Sequence, residues 1–108
     1  MISEKLKEEI IKKFKQESKI IFKQMYSLEN SPHKGKPLGQ VAGIVIKEIK
    51  YKSFRFYFIT DGHKLKVMDE SILTDLLIRF VRMSDKESQQ KTIDEIRKIL
   101  ITLGTGGF

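Results

Sequence analysis

Apolar residues in the first thirty positions recur at helical spacing. A first stripe comes at four-residue intervals and consists of Ile2, Leu6, Ile10 and Phe14. A second stripe consists of Ile21, Met25 and Leu28. Residues at this spacing form one face of an amphipathic helix. Ser3 can cap the first helix, and Ser18 offers either a second cap or a break. The pattern predicts two helices, or one long bent helix, over residues 1–30, ended by Pro32.

From residue 41 onward the spacing changes from helical to alternating. The clearest example is Ser53–Thr60, in which three phenylalanines, at positions 54, 56 and 58, alternate with Arg55, Tyr57 and Ile59. Alternation of this kind is typical of a β-strand. After a loop over residues 31–40, the pattern predicts four antiparallel strands: Val41–Lys50, Ser53–Thr60, His63–Met68 and Thr74–Met83.

Short polar segments predict how these strands connect. Tyr51-Lys52 predicts a tight turn, and Asp61-Gly62 is a strong signal for a two-residue hairpin. That hairpin would pair Thr60 with His63, Phe58 with Leu65 and Phe56 with Val67. Lys64 and Lys66 would then share a face of the sheet with Arg55.

The C-terminal segment reads as one more helix. Ser84–Glu87 has the spacing of a capping box, and an apolar stripe follows, made of Ile93, Ile96, Leu100 and Leu103. The pattern predicts a helix over residues 84–103, ended by Gly104, with a flexible tail over residues 104–108. The sequence therefore predicts one α+β domain, in which two N-terminal helices pack on a twisted antiparallel sheet of about four strands that a C-terminal helix follows.

Composition narrows the classes of function. Hydrophobic residues make up 40% of the chain and charged residues 32%, which is typical of a globular domain. The absence of cysteine excludes a disulfide framework and a thiolate metal site. No apolar run reaches membrane-spanning length and no signal peptide is evident, so we expect a cytoplasmic protein without membrane contact. The carboxylates are too scattered to suggest a metal site. The sequence contains no glycine-rich phosphate loop, so we expect no cofactor.

Positive charge is concentrated in the middle of the chain. Residues 31–66 carry +6 of the formal net charge of +7. Eight bases in this segment oppose only Glu48 and Asp61, namely Lys34, Lys36, Lys47, Lys50, Lys52, Arg55, Lys64 and Lys66. A basic surface with interleaved aromatic residues favours a nucleic-acid partner.

The alternation in Ser53–Thr60 also predicts where this surface lies. The phenylalanine face needs a cover, which the N-terminal helices supply, and we expect the opposite face to be open. Arg55 and Tyr57 would lie on that open face, joined by Lys64, Lys66 and Arg79. The planar guanidinium of Arg55 matches the geometry of phosphate oxygens.

Four segments resemble a known protein family: Lys34–Leu38, Ile46–Lys50, Phe54–Tyr57 and Phe80–Ser84. In order and content they are similar to the RelE/ParE toxin superfamily, nearest its HigB-like branch. That family has a helical pair, a Gly-Lys-x-Leu loop, a strand ending in Glu-x-Arg, an aromatic-Arg strand, and a strand ending in Phe-x-Lys-Lys before the last helix. Its usual first strand is missing here, or is absorbed into Met1-Ile2.

The resemblance implies a toxin of a toxin–antitoxin system, with a cognate antitoxin protein as partner. RelE- and HigB-like members enter the ribosome and cut mRNA without a metal, whereas ParE-like members inhibit gyrase. By position, Arg55 matches the arginine that holds the scissile phosphate, and Lys50 replaces the arginine of Glu-x-Arg. Arg82 stands in the Phe-x-Lys-Lys segment with Lys86 nearby, and Lys52 adds to the same RNA-binding surface.

The sequence departs from the family pattern in the residues that would transfer protons. Active members usually present a histidine, tyrosine or aspartate near the C-terminus, and residues 103–108 contain none. Tyr57 and His63 are the remaining candidates for general acid–base catalysis. Three hypotheses follow: a metal-independent endoribonuclease that inhibits translation, a non-catalytic RNA- or ribosome-binding module of the same fold, and a ParE-like gyrase inhibitor.

Overall fold

The computed structural model describes residues 1–31, 33–67 and 77–108, apart from the side chains of Glu29, Lys66 and Val67. In chain order the elements are α1 (Glu4–Phe14), α2 (Ser18–Tyr26), β1 (Lys36–Val41), β2 (Ile44–Tyr51), β3 (Phe54–Asp61), α3 (Gly62–Val67), β4 (Ile78–Ser84) and α4 (Gln89–Leu103). The predicted α+β layout, with two helices before a four-stranded antiparallel sheet and one helix after it, is confirmed.

The four strands form a meander in the order β1-β2-β3-β4, so each pairs with its neighbour in the chain. β1 and β2 are joined by Ala42-Gly43, whose φ angles of 49° and 84° are those of a tight left-handed hairpin turn. The turn from β2 to β3 falls on Lys52-Ser53, one residue later than predicted. Lys50 consequently pairs with Arg55, and Glu48 with Tyr57.

Two elements differ from the sequence prediction. The segment after Asp61 is the helix α3 instead of a return strand, because the Asp61 carboxylate accepts the backbone N–H of Lys64 (3.0 Å) as a helix cap does. The predicted pairs of Thr60 with His63, Phe58 with Leu65 and Phe56 with Val67 are therefore wrong. The second difference is β1, which lies in the predicted loop over residues 31–40; its proline and glycine fit an edge strand with a bulge.

The last strand and helix begin later than predicted. β4 covers Ile78–Ser84, and residues 74–76 of the predicted strand lie outside the described part, as does the predicted helix stop at Pro32. The capping box is wrong, because Ser84 ends β4 and α4 begins at Gln89. Asp85 accepts the backbone N–H of Ser88 (2.8 Å), and this hydrogen bond lowers the pKa of Asp85.

The end of the last helix agrees with the sequence prediction, but the tail does not. Gly104 terminates α4 with a φ of 66°, a conformation that glycine adopts readily. The following residues form a short 3₁₀ turn, and Phe108 packs against the core. The predicted flexible tail is therefore wrong, because an aromatic side chain fixes it to the protein.

The first core lies between the sheet and the N-terminal helices. Its buried residues come from α1, α2 and the turn after α2, and from one face of β3 and β4: Leu6, Ile10, Ile21, Met25, Leu28, Phe56, Phe58 and Phe80. Ser3 caps α1 by accepting the N–H of Leu6, as predicted. The prediction that the N-terminal helices cover the phenylalanine face is confirmed.

A second core lies on the opposite face, which was predicted to be open. There α4 contributes Ile93, Ile96 and Leu100, and the sheet contributes Ile46, Tyr57, Ile59 and Val81. The prediction was wrong because the apolar stripe of α4 must itself be removed from water, and β3 is apolar on both faces.

The first three residues extend the sheet along β4. Phe80 donates its N–H to the carbonyl of Met1 (2.9 Å) and accepts the N–H of Ser3 (3.0 Å), and Ile2 forms a parallel bridge with Phe80. Residues 1–3 therefore lie alongside β4 at this edge of the sheet. Among the helices described, none has the length and apolar character needed to cross a membrane.

Two neighbouring isoleucines of α1 provide a test of the first core. Ile10 is fully buried, whereas Ile11 is 48% exposed. We expect Ile10→Ala to lower the free energy of unfolding by about 2–5 kcal/mol, since it removes buried methyl groups and leaves a cavity. Ile11→Ala, the matched control, should change it by about 1 kcal/mol or less. Urea denaturation measures both, and equal effects would contradict this packing of α1.

Candidate functional site

One end of the sheet gathers most of the residues that the family resemblance singled out. β1 begins, β2 ends, β3 begins and β4 ends there, and we call it the hairpin end. Across it, Lys50 pairs with Arg55 and Arg55 with Ser84, while Glu48 pairs with Tyr57. Residues paired in this way share a face, and Tyr57 places this face on the side of α4.

Arg55 makes an ion pair with a carboxylate instead of projecting into solvent. Its Nε lies 3.9 Å from Oε2 of Glu48, and the two side chains are only 12% and 1% exposed. Gln89, the first residue of α4, donates to the same carboxylate oxygen (3.1 Å). The prediction that Arg55 extends from an uncovered face is wrong, because Glu48 on the adjacent strand offsets its charge.

Tyr57 is fully buried beside this pair. Its hydroxyl shares a hydrogen bond of 2.7 Å with the hydroxyl of Ser84, which donates to the carbonyl of Asp85. Burial, reinforced by the Glu48 carboxylate, raises the pKa of Tyr57. A phenol in this setting stays protonated at neutral pH, which makes it a poor general base.

Two polar atoms of the buried pair have no hydrogen-bond partner within the described part of the chain. They are Oε1 of Glu48 and Nε of Arg55. Buried polar atoms are nearly always hydrogen-bonded, so each exception calls for an explanation, of which a catalytic role is one. We define the buried cluster as Glu48, Arg55, Tyr57, Ser84 and Gln89.

Several predicted cations are engaged in contacts that stabilise the fold. Lys47 is buried on the opposite face, where its ammonium donates to the carbonyl of His33 (3.2 Å), and burial lowers its pKa. Lys52 forms an ion pair with Glu17 of the N-terminal helices. Arg82 donates to Glu95 of α4 (2.8 Å) and lies over the ring of Phe108. These three side chains hold elements together, so they add little to a free basic surface.

The remaining predicted residues lie away from the hairpin end. His63 and Lys64 are exposed residues of α3, which follows the other end of β3, and the backbone of Lys66 belongs to the same helix. Six residues of strand separate Arg55 from the end of β3, a distance of roughly 20 Å. Arg79 pairs with Ile59, also nearer that end. The structure does not bring His63 to the Arg55 cluster.

Three exposed lysines surround the hairpin end. Lys36 begins β1 opposite Glu48, Lys50 is the second-last residue of β2 opposite Arg55, and Lys86 lies between β4 and α4. Within residues 1–31, 33–67 and 77–108 their ammonium groups have no hydrogen bond or ion pair, although the Lys50 carbonyl accepts a hydrogen bond from Gln24 (3.0 Å). We call them the rim lysines. Their charges are free to meet an anionic partner at the surface.

Sequence reasoning missed three members of the buried cluster: Glu48, Ser84 and Gln89. Glu48 did carry a signal, because a carboxylate between Ile46 and Ile49 in a β-branched strand is unusual in a sheet covered on both faces. Ser84 and Gln89 carried none, since their roles depend on where β4 ends and α4 begins. Among the described residues, no group of histidine and carboxylate side chains could hold a metal ion.

Comparison with protein-family models, with curated proteins and with solved structures finds no match for this chain.

Burial of Tyr57 predicts a pH dependence in alkaline solution. The pKa of Tyr57 is raised above its ordinary value of 10.0, so the protonated phenol stabilises the fold below that pH. This contribution is lost as the pH rises through the folded-state pKa. In a titration of phenolate absorbance, we expect a late step above pH 10 that is absent in Tyr57→Phe. Identical titration curves of the two proteins above that pH would contradict this environment.

The buried ion pair predicts strong coupling between two substitutions. Arg55→Gln leaves Glu48 as an uncompensated buried charge and should destabilise the protein by about 3–5 kcal/mol. Adding Glu48→Gln to Arg55→Gln should restore part of that loss, since the double variant has no unpaired charge. Urea denaturation of both single variants and the double variant measures the coupling free energy. Additive effects would show that the two side chains do not interact.

Proposed function

We propose that this chain is a RelE/ParE-like domain that binds RNA at the ribosome through the hairpin end of its sheet, without cleaving it. The partner is a phosphate backbone, and the rim lysines Lys36, Lys50 and Lys86 are the residues that bind it. Their attraction to phosphate is electrostatic and depends on the release of counterions from the RNA.

The observation that carries this proposal is the convergence of the rim lysines. They come from three separate segments of the chain, lie around one end of the sheet, and their ammonium groups have no hydrogen-bond or ion-pair partner among the described residues. A charge kept for stability would be expected to pair with a nearby carboxylate, as Lys52 does with Glu17. The rim lysines leave their charge available to solvent and to a polyanion.

Binding without cleavage fits the state of the predicted catalytic residues. Arg55 is offset by Glu48, Tyr57 is buried with a raised pKa, and His63 lies beyond the other end of β3. Attack by a ribose 2′-hydroxyl needs a group that accepts its proton, and loss of that group lowers the rate by about 10²–10⁴-fold. Arg55 and Tyr57 are thus engaged inside the buried cluster, and His63 lies far from a substrate held by the rim lysines.

The arrangement of elements supports the family part of the proposal. Met1-Ile2 pairs with β4 before α1 begins, as expected of a chain that keeps a short form of the family's first strand. Lys50, Arg55 and Arg82, which the resemblance matched by position, belong to the half of the sheet at the hairpin end, and Lys86 follows two residues after the end of β4. A cognate antitoxin remains a proposal that rests on the resemblance alone.

A second candidate is cleavage of RNA by the buried cluster itself. It is favoured by the unpartnered Oε1 of Glu48 and Nε of Arg55, a proton acceptor and a cation side by side. Cleavage would require Gln89 to release Glu48 so that an RNA ribose could reach the carboxylate. The closed cluster makes this the weaker candidate.

Binding of single-stranded RNA tests the proposal. With three lysines neutralising phosphates, the logarithm of the affinity should fall against the logarithm of salt concentration with a slope of about −2. We expect Lys50→Gln to lower affinity and to flatten this slope by somewhat less than one unit. Lys98→Gln, which removes the same charge from an exposed position of α4, is the matched control and should leave both unchanged. Fluorescence anisotropy with an RNA of about 20 nucleotides measures both quantities.

A translation reaction with purified ribosomes separates the two candidates. The proposal expects inhibition without new mRNA fragments, lost in Lys50→Gln. Fragments that disappear in Glu48→Gln, but not in a folded Ser88→Ala control, would show that the cluster cleaves RNA. A lack of any RNA binding at low salt would reject both candidates.

A further inference from the structure

A groove of about 470 Å³ lies beside α4, on the side of β1. Cavities of roughly 300–1,000 Å³ are those that hold small molecules in proteins. The lining residues come from β1, from the turn before α4 and from successive turns of α4, and they include Leu38, Lys86, Glu87, Gln89, Ile93 and Arg97. The groove therefore has the size of a small-molecule site and is walled by separate elements of the fold.

Two cations of this groove have charged groups without a partner. The ammonium of Lys86 and the guanidinium of Arg97 make no hydrogen bond or ion pair within residues 1–31, 33–67 and 77–108. The guanidinium lies so close to the backbone of Gly39 that a Cβ at position 39 would overlap it. Arg97 thus rests against β1, and its planar fork of N–H donors is left for a carboxylate.

The two cations stand at opposite ends of the helical wall of the groove. Lys86 precedes Gln89, the first residue of α4, whereas Arg97 lies more than two turns after it, about 12 Å further along the helix axis. Ile93 lies between them on α4, and Leu38 adds a second apolar side chain to the lining. A molecule that meets both cations must therefore carry an anionic group at each end and an apolar segment in the middle.

The acid in the groove limits how much negative charge its occupant can carry. Glu87 is the single carboxylate among the lining residues, so it offsets one of the two cations. Two carboxylates bring less negative charge than two phosphates, each of which carries about 1.5–2 charges at neutral pH. Repulsion from Glu87 is consequently weaker for a dicarboxylate than for a bisphosphate.

We propose that the groove between β1 and α4 binds a small linear dicarboxylate. One carboxylate lies on Arg97 and the other on Lys86, and the hydrocarbon chain between them covers Leu38 and Ile93. This inference goes beyond RNA binding and does not rest on it. Because Lys86 is also one of the rim lysines, Arg97, which is not, is the residue to vary.

Other occupants fit these features less well. A fatty acid has one carboxylate and would leave the second cation unpaired, and an inorganic anion would leave the apolar side chains uncovered. A single strand of RNA is usually held by aromatic side chains that stack on its bases, and no aromatic residue lines the groove.

A series of ligands of different length tests the proposal. Chemical-shift titrations by nuclear magnetic resonance, at constant ionic strength, compare succinate, adipate, suberate and octanoate. We expect suberate to bind more tightly than succinate, whose carboxylates are too close together to meet both cations. Octanoate has the same carbon chain as suberate but one carboxylate, and it should bind about tenfold more weakly because it loses a charge-assisted hydrogen bond.

Three variants locate the site. Arg97→Gln should weaken suberate binding about tenfold or more, since it removes a charged donor. Gly39→Ala keeps every charge but displaces the guanidinium, so it should also weaken binding. Lys98→Gln, which removes a charge from the neighbouring exposed position of α4, should keep the affinity within about twofold. The amide spectrum of each variant shows whether it is folded.

Several results would overturn the proposal. They are equal affinities for succinate, suberate and octanoate, equal weakening by Arg97→Gln and Lys98→Gln, and tighter binding of a sugar bisphosphate than of any dicarboxylate. Absence of chemical-shift changes at Gly39 and Ile93 in the presence of suberate would overturn it as well.

Discussion

The constraint on which this structure depends is that β3 is apolar on both of its faces. Phe56 and Phe58 point to one side, Tyr57 and Ile59 to the other, and all four are fully buried. A central strand of this kind needs a layer on each side of the sheet. The N-terminal helices provide one layer and α4 the other, which sets the three-layer order of the domain.

Charged residues that fall inside this three-layer arrangement are matched locally. Glu48 and Arg55 lie on neighbouring strands and offset each other, and Lys47 rests over Phe58 while donating to a carbonyl. Burial of an ion costs several kcal/mol unless a partner compensates it. The basic stretch seen in the sequence is therefore a mixture of internal partners and true surface charge. The sequence alone does not distinguish internally paired charges from surface charges, because the distinction depends on which strand lies beside which.

Much of the fold could be predicted from periodicity, since long apolar stripes report burial directly. Leu6 and Ile10 identified α1, Phe56 and Phe58 identified β3, and Ile93 and Ile96 identified α4. The errors came from short segments with two possible outcomes. Asp61-Gly62 is as good a helix start as a hairpin turn, and the choice followed from a side-chain hydrogen bond to Lys64. The site was harder, because the partner of Arg55 depends on strand register, which no local pattern determines.

The pairing of residues 1–3 with β4 has a consequence for the order in which the molecule assembles. The amino end of the chain is synthesised first, yet its partner Phe80 lies nearly eighty positions later. Contacts between residues so distant in sequence form late, because a large loop must close first. During synthesis α1 and α2 can acquire helical structure early, while the strand in front of them waits until β4 has left the ribosomal tunnel. Residues 1–3 can therefore cover the edge beside β4 only after residue 80 has been synthesised.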